Sequence, residues 1–185
     1  MLAESEKLYT IEEYEILTRH SDKLQELING EIYDMASPNE IHQRIVMRLG
    51  NRIDSYILKN QGKCKVILAP FDVKLNEHTI VIPDVLVVCD PSKMDGKRCV
   101  GAPDWIIEVL SSNRDTDLIT KQALYKNNHV REYWIVDPKN EKTLVYFFEK
   151  NDLPDIYTFD TAVPVEIYDR KLSINISELL KGNLT

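Results

Sequence analysis

Two acids break runs that otherwise read as strands, and a lysine follows them at a distance a helix can close. Trp105-Ile106-Ile107-Glu108-Val109-Leu110 is apolar and rich in branched side chains except at Glu108, the pattern of a strand covered on both faces. Asp84 interrupts a second run, Val81-Ile82-Pro83-Asp84-Val85-Leu86-Val87-Val88, where Pro83 removes a ladder donor and marks a bulge or an edge that re-aims the next side chain. A carboxylate left unpaired in such surroundings costs of order ~3 kcal/mol or more, so each must meet a metal ion, a cation or a dense set of donors. Two carboxylates brought together repel. A hard divalent cation, Mg2+ or Mn2+, is the simplest remedy, because it takes one or two carboxylates plus waters and substrate phosphate. After Leu110 a polar stretch opens a helix on which Lys121 and Tyr125, at i and i+4, share a face with Leu118. That helix returns an ammonium to the strand end that holds Glu108. Beside a metal, the ammonium would position a water and stabilise the charge that develops in phosphodiester hydrolysis. Without one, Lys121 and Glu108 would form a buried ion pair of purely structural meaning.

The elements before these acids supply further candidates. Thr10-Ile11-Glu12-Glu13 is a capping box and starts a helix that runs to Thr18. Asn29-Gly30 predicts a hairpin over 25–35 with Ile28 opposite Glu31 and Glu26 opposite Tyr33. Acids in a hairpin are ordinarily solvated; the sharper reading brings one of the two to the site, with Glu31 the candidate. Ser37-Pro38-Asn39-Glu40 is a second capping box, with proline at the first helical position, and its helix runs to about Asn60. Ile41, Ile45, Leu49, Ile53 and Tyr56 form its buried stripe. His42 falls inside that arc, either as a satisfied core residue or, lining a cleft, in contact with a phosphate or a carboxylate. Arg44, Arg48 and Arg52 recur every fourth residue along the edge of the stripe. They read either as a solvated face or as a track for backbone phosphates.

The rest of the chain frames these residues. Residues 65–75 and 79–89 read as two strands joined by Asn76-Glu77-His78, and 90–101 as a polar loop. Residues 133–136, 144–149 and 156–159 are further strands, Asp137-Pro138 ends the first of them, and 174–180 is a short closing element. At 185 residues with 43% hydrophobic content, the chain is expected to build one core, a single domain over 1–185. A net charge of -7 argues against a non-specific nucleic-acid coat, though a local basic patch matters more than the total. No run approaches the ~20 apolar residues of a membrane span. The N-terminus, with Glu4 and Glu6, lacks the features of a signal peptide, so the cytoplasm is the expected location. Cys64, Cys89 and Cys99 form no C-x-x-C pair, and their odd number points to free thiols rather than a disulfide framework or a zinc knuckle.

Several of these stretches together resemble the Uma-two family of restriction endonucleases. They are Pro83-Asp84, the run from Pro103-Asp104-Trp105 through Glu108 to Ser111, then Asp117, Lys121 and Tyr125, and Glu132-Tyr133-Trp134-Ile135-Val136-Asp137-Pro138. Asn29-Gly30-Glu31, Ser37-Pro38 and His42 fit its N-terminal half, so the resemblance spans nearly the whole chain. It implies an α/β (α+β) fold with a restriction endonuclease-like core: a central mixed β-sheet flanked by helices, with an extra N-terminal hairpin and C-terminal strands. It also implies a Mg2+-dependent phosphodiesterase site of the PD-(D/E)XK superfamily acting on DNA. Carried over, Asp84 is the motif aspartate and Glu108 the (D/E) of the strand. The lysine expected two positions after the acid is Leu110 here, so the third motif residue falls to Lys121, displaced onto the adjoining helix. Lys121 and Tyr125 have the spacing of a Q-x-x-x-Y motif with lysine in the glutamine place. Trp105, Tyr133 and Trp134 are strand aromatics and read as core, or alternatively as base-stacking platforms. Two function classes follow, an active nuclease and a degenerate nuclease fold that binds nucleic acid or protein without cutting. Both acids and Lys121 are present, which favours the enzyme. A homodimer is expected, since cutting both strands of a duplex takes two sites related by symmetry.

Overall fold

The computed structural model describes residues 7–111 and 117–181, with the backbone alone for 117–119. The first helix, α1 (Ile11–Thr18), begins at the expected box, with Thr10 and Glu13 capping each other reciprocally. Asn29 and Gly30 take φ of 51° and 87° and turn β1 (Gln25–Ile28) into β2 (Glu31–Asp34), with Ile28 opposite Glu31 and Glu26 opposite Tyr33 as the turn chemistry requires. The long helix α2 (Glu40–Lys59) is capped by Asn39, whose side chain accepts from the His42 N–H. Ser37 was expected to cap it, but Pro38 lies outside the helix and both residues line a cleft instead. Its buried side chains are His42, Ile45, Val46, Leu49, Ile53 and Ile57, whereas Ile41 is exposed.

The two long strands expected over 65–75 and 79–89 are each broken in two. They give β3 (Lys65–Leu68), β4 (Val73–Asn76), β5 (Thr79–Val81) and β6 (Val85–Val88). Pro70 and Pro83 stand in the breaks, where a residue without an N–H cannot continue a ladder. Asp84 therefore sits at a corner immediately before β6 rather than inside a strand. Within the expected loop, Cys99 and Val100 form β7 (Cys99–Val100), parallel to β4. There follow β8 (Trp105–Val109), α3 (Asp117–Asn127), β9 (Glu132–Asp137), β10 (Lys142–Phe147), β11 (Asp155–Thr158), β12 (Val163–Pro164), β13 (Ser173–Ile174) and α4 (Ile176–Lys181).

Six strands form a mixed sheet in the order β11-β10-β9-β8-β6-β3, in which β8 and β9 run parallel and the other pairs antiparallel. Five form a second sheet, β2-β1-β5-β4-β7. Strand alternation divides the core. Val85, Val87, Trp105, Ile107, Val109, Trp134 and Val136 pack with α2 and the C-terminal elements. Leu86, Val88, Ile106, Tyr133 and Ile135 pack with α3 and the second sheet. Every residue of β8 is buried, as a strand covered on both faces demands. Gly50 lets α2 approach β3 closely, since a Cβ there would lie 2.8 Å from Leu68 Cδ2. Among the described residues no helix is long and apolar enough to cross a membrane.

The cysteines depart from expectation: Cys64 and Cys89 are joined by a disulfide, and only Cys99 is free. The register pairs Lys65 with Val88, so one step further places Cys64 opposite Cys89, an adjacency between strand ends that sequence spacing cannot reveal.

Glu132 lies away from the acids singled out above, fully buried on β9. Its carboxylate accepts from the Trp134 Nε1–H (2.7 Å) and the Ile167 N–H (2.9 Å), but burial outweighs these donors and pushes its pKa from an ordinary 4.5 up to about 7. The folded protein then holds a proton that the unfolded chain releases, so this contribution to stability is complete below the unfolded pKa and is lost as pH rises towards the folded one. The loss amounts to about 3 kcal/mol. Urea midpoints of the wild type and Glu132→Gln, compared at pH 4 and pH 8, should show the variant gaining relative to the wild type at the higher pH. A constant difference between the two proteins would refute the assignment.

Candidate active site

Asp84 and Glu108 are neighbours across the central sheet. Val85 pairs with Ile107 in the antiparallel β6–β8 ladder, so one step beyond it Asp84 comes opposite Glu108. Both are buried, at 5% and 3% exposure. Asp84 Oδ2 accepts from the Val109 N–H at 2.8 Å and lies 3.1 Å from His42 Nε2. No hydrogen bond falls on Oδ1 among the described residues, and Asp84 lines a cleft of about 320 Å³ together with His42, Ser37, Gln43, Pro70 and Ser111. One oxygen is thus fixed from behind while the side chain fronts the cleft. A second cleft of about 270 Å³ shares Ser111 and continues past Asn39 to Lys139 and Asn140.

Glu108 anchors the inner half of the site. Its Oε1 accepts from Lys121 Nζ at 3.1 Å and from the Tyr125 hydroxyl at 2.8 Å, so the i,i+4 pair on α3 converges on one carboxylate. Burial, and then the neighbouring Glu108, hold the Tyr125 hydroxyl well above its ordinary value. It therefore serves as a neutral donor. Lys121 Nζ also meets Glu26 Oε1 at 2.9 Å, and that same oxygen accepts from the Ile82 N–H at 2.9 Å.

The hairpin acid at the site is therefore Glu26 rather than Glu31. β1 is an inner strand, paired on both sides, and Glu26 is 3% exposed. β2 is an edge, and Glu31 stays exposed with its carboxylate accepting from the Tyr33 hydroxyl. The signal that could have found Glu26 is the one that marked Glu108, an acid beside Leu27 and Ile28 in a strand with no solvent face. The arginine row is not brought to the clefts. Arg44 donates to the Leu180 carbonyl at 3.3 Å and lies 3.8 Å from Glu40. Arg48 Nε is buried without a hydrogen-bond partner among the described residues, and none of the three arginines lines either cleft. Trp105, Tyr133 and Trp134 are fully buried, which makes them core rather than stacking platforms. The side chains of Asp117 and Leu118 lie outside the described residues.

Among the described residues no group of three or more His, Cys, Asp and Glu side chains is arranged to hold a metal. Mg2+ does not require one, since a carboxylate or two with waters and substrate phosphate satisfies it. Asp84 and Glu108 supply hard oxygens from adjacent strands, and His42 braces Asp84 as a second layer of partners does around a metal ligand. In donor chemistry these residues fit such an ion; Asp84 lines a cleft, and Glu108 lines neither of the two.

No curated protein matches the sequence. A solved structure, that of a protein described as "a putative nuclease belonging to DUF820" from Anabaena variabilis ATCC 29413, superimposes with a TM-score of 0.76 at 23% identity, covering 95% of this chain and 99% of that one. At this identity the likeness is one of fold, and it confirms the expected architecture of a mixed sheet flanked by helices. The model of the Uma2 family, described as "Putative restriction endonuclease", matches residues 11–177, a range that contains the hairpin, the Asp84 corner, β8 and α3, and the chain belongs to this family.

Proposed function

We propose that the protein is a Mg2+-dependent nuclease that hydrolyses phosphodiester bonds of DNA. One observation carries the reading: Asp84 and Glu108 are buried at adjoining positions of neighbouring chain segments, and Glu108 meets the buried Lys121 ammonium at 3.1 Å. A hard divalent cation takes one or two such carboxylates together with waters and substrate phosphate. Asp84 and Glu108 would hold the ion, which when bound would polarise the scissile phosphate and acidify a water. The chain's own residues do the rest. Lys121 would offer fixed positive charge beside Glu108 to an attacking water and to the developing phosphorane charge. Tyr125 keeps the Glu108 carboxylate in one orientation, and His42 with the Val109 N–H does the same for Asp84. Substrate would enter by the cleft that Asp84 lines, and a homodimer would present two such sites to a duplex.

The test is cleavage of supercoiled plasmid DNA with Mg2+ or Mn2+ and with EDTA. Nicked or linear product that depends on the metal is expected. DNA retained in gel-shift experiments but left uncut under every metal condition would make the chain a binding module instead, and neither binding nor cleavage would end the reading.

A further inference from the structure

The position of Glu26 is more specific than its charge alone requires. One oxygen, Oε1, receives both the Ile82 N–H and the Lys121 ammonium, each at 2.9 Å. The first donor belongs to the corner that leads into Asp84, and the second belongs to α3. Glu26 itself stands on a strand paired on both sides, with Leu27 opposite Ile32 and Ile80, so its own backbone is fixed. It is 3% exposed and lines neither cleft. Glu108 and Lys121 line neither cleft either, and of Glu26, Asp84, Glu108 and Lys121 Asp84 alone lines one.

We propose that Glu26 is a positioning residue for the reaction: the Ile82 N–H locks its carboxylate, and the carboxylate locks the Lys121 ammonium beside Glu108. The inference rests on the nuclease reading above. A long, flexible lysine side chain loses much of its catalytic value when its head group can wander, because displacement by about 1 Å can cost on the order of 100-fold in rate. Glu108 alone fixes one direction of the ammonium. Glu26 adds a second from the other sheet.

Glu26→Ala should lower kcat by on the order of 100-fold while leaving KM for DNA unchanged. Glu26→Gln keeps an acceptor for the Ile82 N–H and for Lys121, and it should recover much of the rate. The decisive measurement is a double-mutant cycle with Lys121→Met, read as single-turnover cleavage with protein in excess so that residual rates are visible. If Glu26 acts through Lys121, the double variant Glu26→Ala/Lys121→Met is no slower than Lys121→Met alone. Independent, multiplicative losses would overturn the inference, and so would Glu26→Ala cutting at the wild-type rate or raising KM alone. A wild-type protein that cleaves nothing would instead end the nuclease reading itself, and the positioning role with it.

Discussion

Asp84→Asn loses Mg2+-dependent cleavage, with kcat/KM falling by on the order of 1,000-fold or more, and keeps its fold. The size follows from the several kcal/mol of transition-state stabilisation a bound metal supplies, about 4 kcal/mol being equivalent to ~1,000-fold. The fold survives because asparagine is nearly isosteric. Its amide oxygen can take the Val109 N–H at the place where Asp84 Oδ2 now accepts it, and its amide nitrogen can face His42. A second readout separates metal loss from damage to the site. Mg2+ at 100 times its dissociation constant should stabilise the wild type by about 2.7 kcal/mol, seen as a rise in melting temperature, and should leave Asp84→Asn unmoved. A variant that still shows the Mg2+-induced shift, or still cuts at the wild-type rate, would remove Asp84 from the metal site.

Lys121→Met should be costly twice. Nζ lies 2.9 Å from Glu26 and 3.1 Å from Glu108, with all three side chains about 4% exposed. Removing the ammonium takes a counter-charge from two carboxylates in the interior. Breaking a buried pair in this way typically destabilises by ~3 to 5 kcal/mol, and methionine fills the space, so the loss reports charge rather than a cavity. The same substitution should also abolish measurable steady-state cleavage, since the developing phosphorane charge loses its fixed cation. Melting temperature and cleavage measured on one sample keep the two effects apart. Wild-type cleavage at reduced stability would make Lys121 a structural counter-ion only, and an unchanged melting temperature would show that the two acids are neutralised by other means.

Much of the fold is written locally. The Asn29-Gly30 turn, the Thr10 capping box and the unbroken apolar run of β8 each depend on a few adjacent residues, and each forms as its chemistry dictates. The convergence of Glu108, Lys121 and Tyr125 is legible for the same reason, because a strand followed by a helix with i,i+4 residues leaves few places for the pair to go. What the sequence hides is decided by partners distant along the chain. Whether Glu26 or Glu31 is buried depends on β5 covering β1 and leaving β2 an edge. The Cys64–Cys89 link depends on which strand ends meet. The arginines of α2 look like a free row until α4 arrives and takes up Arg44 through the Leu180 carbonyl. Residues 65–75 and 79–89 read as two strands because their apolar pattern continues across the prolines; only the division of the chain between two sheets shows that Pro70 and Pro83 are corners.

Those corners make the chain between Lys65 and Val88 a folded ribbon whose two arms pass together from the central sheet into the second one and back, β3 to β4 and β5 to β6. The two layers are thus stitched by covalent backbone at two adjacent crossings, and Asp84 lies at one of them. A local opening that parted the layers would have to drag both crossings, and with them the Glu26 and Ile82 contact that bridges the same gap. Opening free energies in a protein normally range from near zero at frayed edges up to that of global unfolding. Here the acid that fronts the cleft is tied to the high end of that range, so the site keeps its shape by sharing the cooperativity of the whole core, and access to it must come from the cleft side rather than by separation of the sheets.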